Sequence, residues 1–275
     1  MNRALWIKAF HESKWLLLGC ALLMFIFQWL RVWIISQIKV AHVRKILSDY
    51  VPEFVQKLLP VSIEELASTS GRIAIGYEEP ILLVLLVLWA VGRASDSVSG
   101  EIGRGTMEML LAQPVRRVYL LNVHTVVTLV GVAILAAWAW LGTVAGIATV
   151  ELEEPVHART FGPAAANLMC LGVLVAGVTT MFSAIDQNRG RTIGIAVGLF
   201  MFQLIIKIVG RTADQLDWLR YATVLTAFEP QVLARSTGTP VSTILLYNGL
   251  LVGLAAVFYA VAVAVFCRRD IPAPL

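Results

Sequence analysis

Charge is scarce in this chain of 275 residues: Asp, Glu, Lys and Arg make up 15% of it, against roughly 25% in an average soluble domain. Hydrophobic residues make up 58%, against roughly 45–50%, and the mean hydropathy is +0.78. That balance argues against a water-soluble enzyme. Cysteine is also sparse. Cys20, Cys170 and Cys267 lie far apart in apolar runs, which gives neither a disulfide framework nor a CxxC metal pair. His11, His42, His124 and His157 fall in separate segments without an HExxH pair, so nothing points to a metal. No GxxxxGK[ST] phosphate loop occurs, and the glycine-bearing stretch from Gly100 to Gly105 lacks the lysine that would reach a phosphate. The chain is therefore expected to bind no ATP by itself and to need no cofactor of its own. A net charge of +4, spread along the sequence, offers no nucleic-acid surface.

Long apolar runs are what the sequence does have. Spans are expected at 15–38, 80–98, 118–150, 164–185, 192–209 and 243–266, because a bilayer core of about 30 Å takes roughly 20 helical residues. The third run exceeds one crossing, so its start, with Asn122 and His124, is expected to stand out of the membrane as a helical stem. The second has a short apolar block and draws on residues at either end. The first run is long, has no small-residue cleavage site and comes after a charged stretch, which marks it as retained rather than cleaved.

Orientation is set by Lys and Arg in short loops. QNRGR at 187–191 carries two arginines, whereas ELEEPVHAR at 151–159 carries three glutamates and one arginine. Both termini are thus expected in the cytoplasm. The expected fold is an all-α polytopic membrane protein, one domain over 1–275, with six transmembrane helices. Residues 1–14 set Leu5, Trp6 and Phe10 among Arg3, Lys8 and Lys14, which suits either an interfacial helix on membrane lipid or a plain basic flank that sets topology.

Two outer segments are amphipathic. In 39–79, Val43, Ile46, Leu47, Tyr50, Phe54 and Leu58 form an apolar helical stripe, and SIEE from Ser62 to Glu65 offers a capping box. Residues 211–240 are too interrupted to cross and form either a re-entrant segment or a surface helix. Glu78 and Glu79 precede Pro80, suiting a helix start; alternatively they line an outer mouth for a cationic substrate. Arg31 and Lys207, near outer span ends, are expected to snorkel to the headgroups. Arg93 and Asp96, three apart, are expected to pair. The four-residue spacings Gly190, Gly194, Gly198 and Gly249, Gly253 mark close helix packing within the bundle or across a dimer.

The inner segment 95–121 carries the most information. Gly100, Gly103 and Gly105 break the chain after the second span. Thr106 can cap the next helical turn, in which Met107, Leu110 and Leu111 make a short apolar face opposite Glu108. Pro114 ends that piece, before Arg116 and Arg117. An amphipathic turn of this kind buries its face on lipid or in a groove of another protein.

Glu101, Gly105, Thr106, Met107, Glu108, Leu110, Leu111, Pro114, Arg116 and Arg117, in this order and in this loop, resemble the type-2 ABC exporter permeases. Within them the likeness is to the six-span subgroup that includes the permease of the nitrous-oxide-reductase maturation transporter. The resemblance implies a permease half-unit of a bacterial or archaeal plasma membrane, paired with a second copy or a paralogue. Its inner loop, Glu101 with Gly103 and Gly105 to Leu111, would dock on a separate ABC ATPase subunit that binds the ATP. Two other classes compete. An intramembrane enzyme needs facing catalytic groups, and the spans offer no paired Asp and no Ser/His set. A non-transporting anchor or scaffold for an outer assembly would use the amphipathic outer segment.

Overall fold

The computed structural model describes residues 3–38, 40, 67–112, 116–212, 218–219, 223–235 and 239–269. Lipid offers the backbone no hydrogen-bond partner, so apolar runs satisfy their own N–H and C=O groups as helices. Among the described residues the secondary structure is helical throughout. Helix α1 is Arg3–Ser36, α2 Thr69–Ile75, α3 Pro80–Ser95, α4 Met107–Leu111, α5 Arg117–Thr149, α6 Gly162–Ile185, α7 Arg189–Thr212, α8 Pro230–Leu233 and α9 Val241–Arg268. Among the described residues, six segments are long and apolar enough to cross a membrane: Leu5–Ser36, Thr69–Gly103, Arg117–Thr149, Ala158–Ile185, Arg189–Gly210 and Val241–Arg268.

The helix starts reflect local chemistry. Ser68 caps α2 by accepting from the Gly71 N–H, and Pro80 opens α3 after extended Glu79. Glu79 sits at the expected helix start, but its carboxylate makes no capping bond there. Between α2 and α3 the chain tightens into a turn over Gly76–Glu78, so the second span is a stack of α2, this turn and α3. The third span is one unbroken helix beginning at Arg117. The first shows no break near Lys14: α1 runs continuously through the stretch read as either an interfacial helix or a basic flank. At 1.5 Å per residue its 34 residues reach about 51 Å, well beyond a core of about 30 Å.

Tertiary contact comes from small residues that let backbones approach, since helices gain no hydrophobic drive from leaving lipid for one another. A Cβ on Gly142 would meet the Phe25 carbonyl, and one on Gly146 would meet Val32, so α1 lies directly on α5. Trp29 Nε1 donates to Thr149 Oγ1 at 3.1 Å along the same seam. On α6, Gly172 faces Val132 and Leu86 while Gly177 faces the Ala255 backbone, which places α6 among α3, α5 and α9. Trp89 covers Gly131 and donates to the Thr128 carbonyl at 3.0 Å. Leu5, Ala9, Val98, Met107, Leu121 and Phe266 form a second buried cluster, which puts both ends of the described chain at one end of the bundle.

The glycine spacings noted in the sequence do not make these contacts. Among the described residues, Gly194, Gly198, Gly249 and Gly253 have no neighbour within 4 Å of a Cβ, and Gly190 meets only the Asn188 side chain. Nothing packs against these faces among the described residues. The outer stripe from Val43 to Leu58, the Ser62 to Glu65 box and Pro114 lie outside the described residues.

Candidate functional site: the loop between α3 and α5

Helix α3 ends at Ser95 and passes into a π-helical turn, Asp96–Gly100, succeeded by a helical turn at Glu101–Gly103. A π turn adds a residue to the helical ladder and marks functional positions more often than chance. Here the N–H groups of Val98 and Ser99 turn sideways to Ser183 Oγ, at 3.2 and 3.0 Å. Ser183 in turn donates to the Ser95 carbonyl at 3.0 Å, and Thr192 Oγ1 on α7 reaches Ser99 Oγ at 3.1 Å. The turn is thereby tied to α6 and α7 through buried polar groups, and a low-dielectric interior is where such bonds are strongest.

Two buried carboxylates anchor the loop. Asp96, 5% exposed, lies 3.6 Å from Arg93, 2.6 Å from Arg104 and 3.2 Å from Arg189. The Arg93 to Asp96 pair is the one the spacing predicts. Glu101, fully buried at 0% exposed, is bound by Lys8 at 3.0 Å, by Arg104 at 3.0 Å and by the Thr106 hydroxyl. The hydrogen bond to Asp96 raises the Arg104 pKa above its ordinary value against the opposing effect of burial, and the charges of Asp96 and Glu101 raise it further. Its cation is therefore permanent. Arg93 also donates to the Ala9 carbonyl at 3.2 Å and Arg189 to the Gly92 carbonyl at 3.1 Å. Arg269 reaches the Ala184 and Asp186 carbonyls at 2.8 and 3.1 Å. Guanidinium groups thus sit on carbonyls near the C-terminal ends of α3 and α6, where the dipole is negative. One carboxylate, Asp96, joins the loop (Arg104) to the start of α7 (Arg189).

The loop turns back at Gly105, whose φ of +70° lies in the left-handed region that costs other residues about 1–2 kcal/mol. This puts the next turn, α4, against the bundle. Thr106, expected as its cap, makes no capping bond and gives its hydroxyl to Glu101. Met107 is 1% exposed and Leu110 packs against the same cluster as Leu5, Leu121 and Phe266. The apolar face expected to dock on a partner is therefore turned inward for Met107 and Leu110, because the chain's own inner cluster already fills its groove. The side chain of Leu111 lies outside the described residues. The outward-facing residues here are Gly103, Arg104, Gly105, Glu108, Met109 and Ala112, and Met109 is 65% exposed. Met109 falls within the expected docking stretch from Gly105 to Leu111 but lies off the apolar periodicity that singled out Met107, Leu110 and Leu111.

The other candidates lie at the opposite end. Glu79 pairs with Arg31, which also donates to the Arg72 carbonyl at 3.1 Å. Glu78 accepts from Gln231 Nε2 at 2.8 Å and lies 4.0 Å from Lys207 Nζ, which is 3.4 Å from Glu229 and donates to the Phe228 carbonyl. Lys207 is 7% exposed. Both cations are engaged by groups of the chain: Lys207 lies buried among Glu78, Glu229 and the Phe228 carbonyl, and Arg31 pairs with the partly exposed Glu79. Glu78 and Glu79 are correspondingly engaged inside the chain. Asn167 donates to the Ala227 carbonyl at 3.0 Å and accepts from the Glu229 N–H at 3.1 Å. The segment around α8 is thus buried, with side chains satisfying its broken backbone, and is not a surface helix.

A family model described as ABC-2 family transporter protein matches residues 8–271. No curated protein matches the chain.

Proposed function

Since the chain belongs to the ABC-2 family of transporter proteins, membrane permease components of ABC transporters, we propose that it is the membrane half-unit of an ATP-driven exporter, powered by a separate ABC ATPase subunit and completed by a second permease copy or paralogue. In this reading the basic end of the bundle, with Arg104, Arg116, Arg117, Arg189 and Arg191, faces the cytoplasm of a bacterial or archaeal cell. The loop residues from Glu101 to Arg117 favour the six-span subgroup that includes the permease of the nitrous-oxide-reductase maturation transporter. Lys8, Lys14 and the exposed Ile7 and Phe10 support an interfacial role for the first turns of α1. The buried segment around α8 is re-entrant.

The observation that carries the proposal is the loop itself: a short exposed rim, Gly103 to Gly105 with Glu108 and Met109, standing on a hub of buried ion pairs. The ATPase would seat on the rim. Movement of the ATPase pair would pass through Arg104 and Asp96 to Arg189 at the start of α7, and through the π turn to the end of α3. Glu101 acts within the chain, holding the rim to Lys8 on α1, and does not touch the partner. A permease so coupled changes the hydrolysis rate of its ATPase, whereas an inert membrane anchor leaves it unchanged. The test is to co-express the tagged chain with its ATPase and compare the hydrolysis rate with that of the ATPase alone.

A further inference from the structure

Helices α1 and α5 touch closely where Gly142 and Gly146 meet Phe25 and Val32, and again at the basic end, where Trp6 Nε1 donates to the Tyr119 hydroxyl at 3.0 Å; between these contacts they part around a cleft of about 380 Å³. Trp6, Phe10, Leu17, Trp89, Val130 and Ile134 line it. Ser13 also lines it but spends its hydroxyl on the Ala9 and Phe10 carbonyls, at 2.9 and 3.1 Å, so this wall is apolar. The polar edge is His11, whose Nε2 lies 3.4 Å from Lys14 Nζ. Among the described residues no carboxylate pairs with Lys14. Its ammonium instead sits 5.5 Å from the centre of the neighbouring Trp15 ring.

We propose that this cleft binds one anionic phospholipid, with an acyl chain between α1 and α5 and the headgroup phosphate on Lys14 and His11. The flanking helices are membrane spans, so lipid is the medium that meets the opening. An apolar gap of this size loses dispersion contacts unless filled, and water gains nothing there. Trp15 is largely exposed and adjoins Lys14, a pairing typical of the headgroup level. The His11 and Lys14 edge therefore meets phosphates while the Leu17 and Ile134 end meets acyl chains. The unpaired ammonium selects for net negative headgroups. The inference rests on the proposed orientation only for which leaflet supplies the lipid.

Native mass spectrometry of the delipidated full chain, titrated with phosphatidylglycerol or with phosphatidylcholine of the same acyl chains, reads the site directly. The first lipid bound should favour phosphatidylglycerol about fivefold, equivalent to roughly 1 kcal/mol for one lysine. Lys14→Gln, at the surface, should abolish that preference while keeping lipid binding. Val130→Trp, on the half-exposed lip, should lower binding of both lipids. Equal binding of the two headgroups by the natural chain overturns the proposal, as does a lipid count unchanged in both variants. A dimer that forms at the expense of lipid and is lost in Val130→Trp also overturns it, by assigning the cleft to a second copy.

Discussion

Replacing Asp96 with Asn removes one buried charge and no volume, and the surroundings dictate the cost. Arg93 is itself 5% exposed and cannot reach water when its carboxylate is lost. Arg104 and Arg189, at 41% and 43% side-chain exposure, can. Breaking a buried pair from one side costs about 3–5 kcal/mol, which at roughly 2–4 °C per kcal/mol lowers Tm by about 10 °C. Glu101→Gln is the contrasting case. Glu101 is more deeply buried, yet its partners Lys8 and Arg104 are 37% and 41% exposed and rehydrate. The loss is then about 1–2 kcal/mol, or roughly 4 °C. The assay uses the chain's own thiols: Cys20 and Cys170 are buried and Cys267 exposed. In a Cys267→Ser background, a thiol-reactive dye therefore reports unfolding in mild detergent. A Glu101→Gln loss equal to or above that of Asp96→Asn would refute the reasoning, because it would mean that burial of the carboxylate, not of its partner, sets the cost.

Two further outcomes use the same dye. Gly142→Ala places a methyl on the Phe25 carbonyl and should cost about 1–3 kcal/mol, while Gly198→Ala, with open space around it, should stay within about 0.5 kcal/mol. Asn167→Ala strips the Ala227 carbonyl and the Glu229 N–H of their buried partner, at about 1–3 kcal/mol each. A cysteine placed at buried Leu233 should then label faster than in the parent chain.

The spans were legible because apolar run length alone specifies a helix in lipid, and Pro80 marks the start of α3. The Arg93 and Asp96 pair was legible because three residues on one helix fix the distance. Pairing across the chain was not. Lys8 and Glu101 are separated by 93 positions, and nothing local to either says that they meet. Lys207 and Arg31 read as snorkelling cations because sequence shows their depth but not the carboxylates of Glu229 and Glu79 facing them. The glycines make the same point. Gly142 and Gly146 share the four-residue spacing of Gly194 and Gly198, yet among the described residues only the first pair faces a neighbour. Spacing shows that a helix has a smooth face and leaves open what lies against it. In α4 the period correctly marked Met107 and Leu110 as one face, but whether a partner or the chain itself covers that face depends on the inner cluster brought together from several other helices.

If the exposed rim of this loop seats a nucleotide-hydrolysing partner, the direct measurement is recovery of the ABC ATPase with the tagged chain from mild detergent, for the natural chain and for Met109→Asp. Met109 is 65% exposed, so the substitution should leave stability within about 0.5 kcal/mol of the parent. The expected result is an ATPase bound to the natural chain and lost from Met109→Asp. Undiminished recovery with Met109→Asp, or no ATPase on the natural chain, would contradict a seat on this rim.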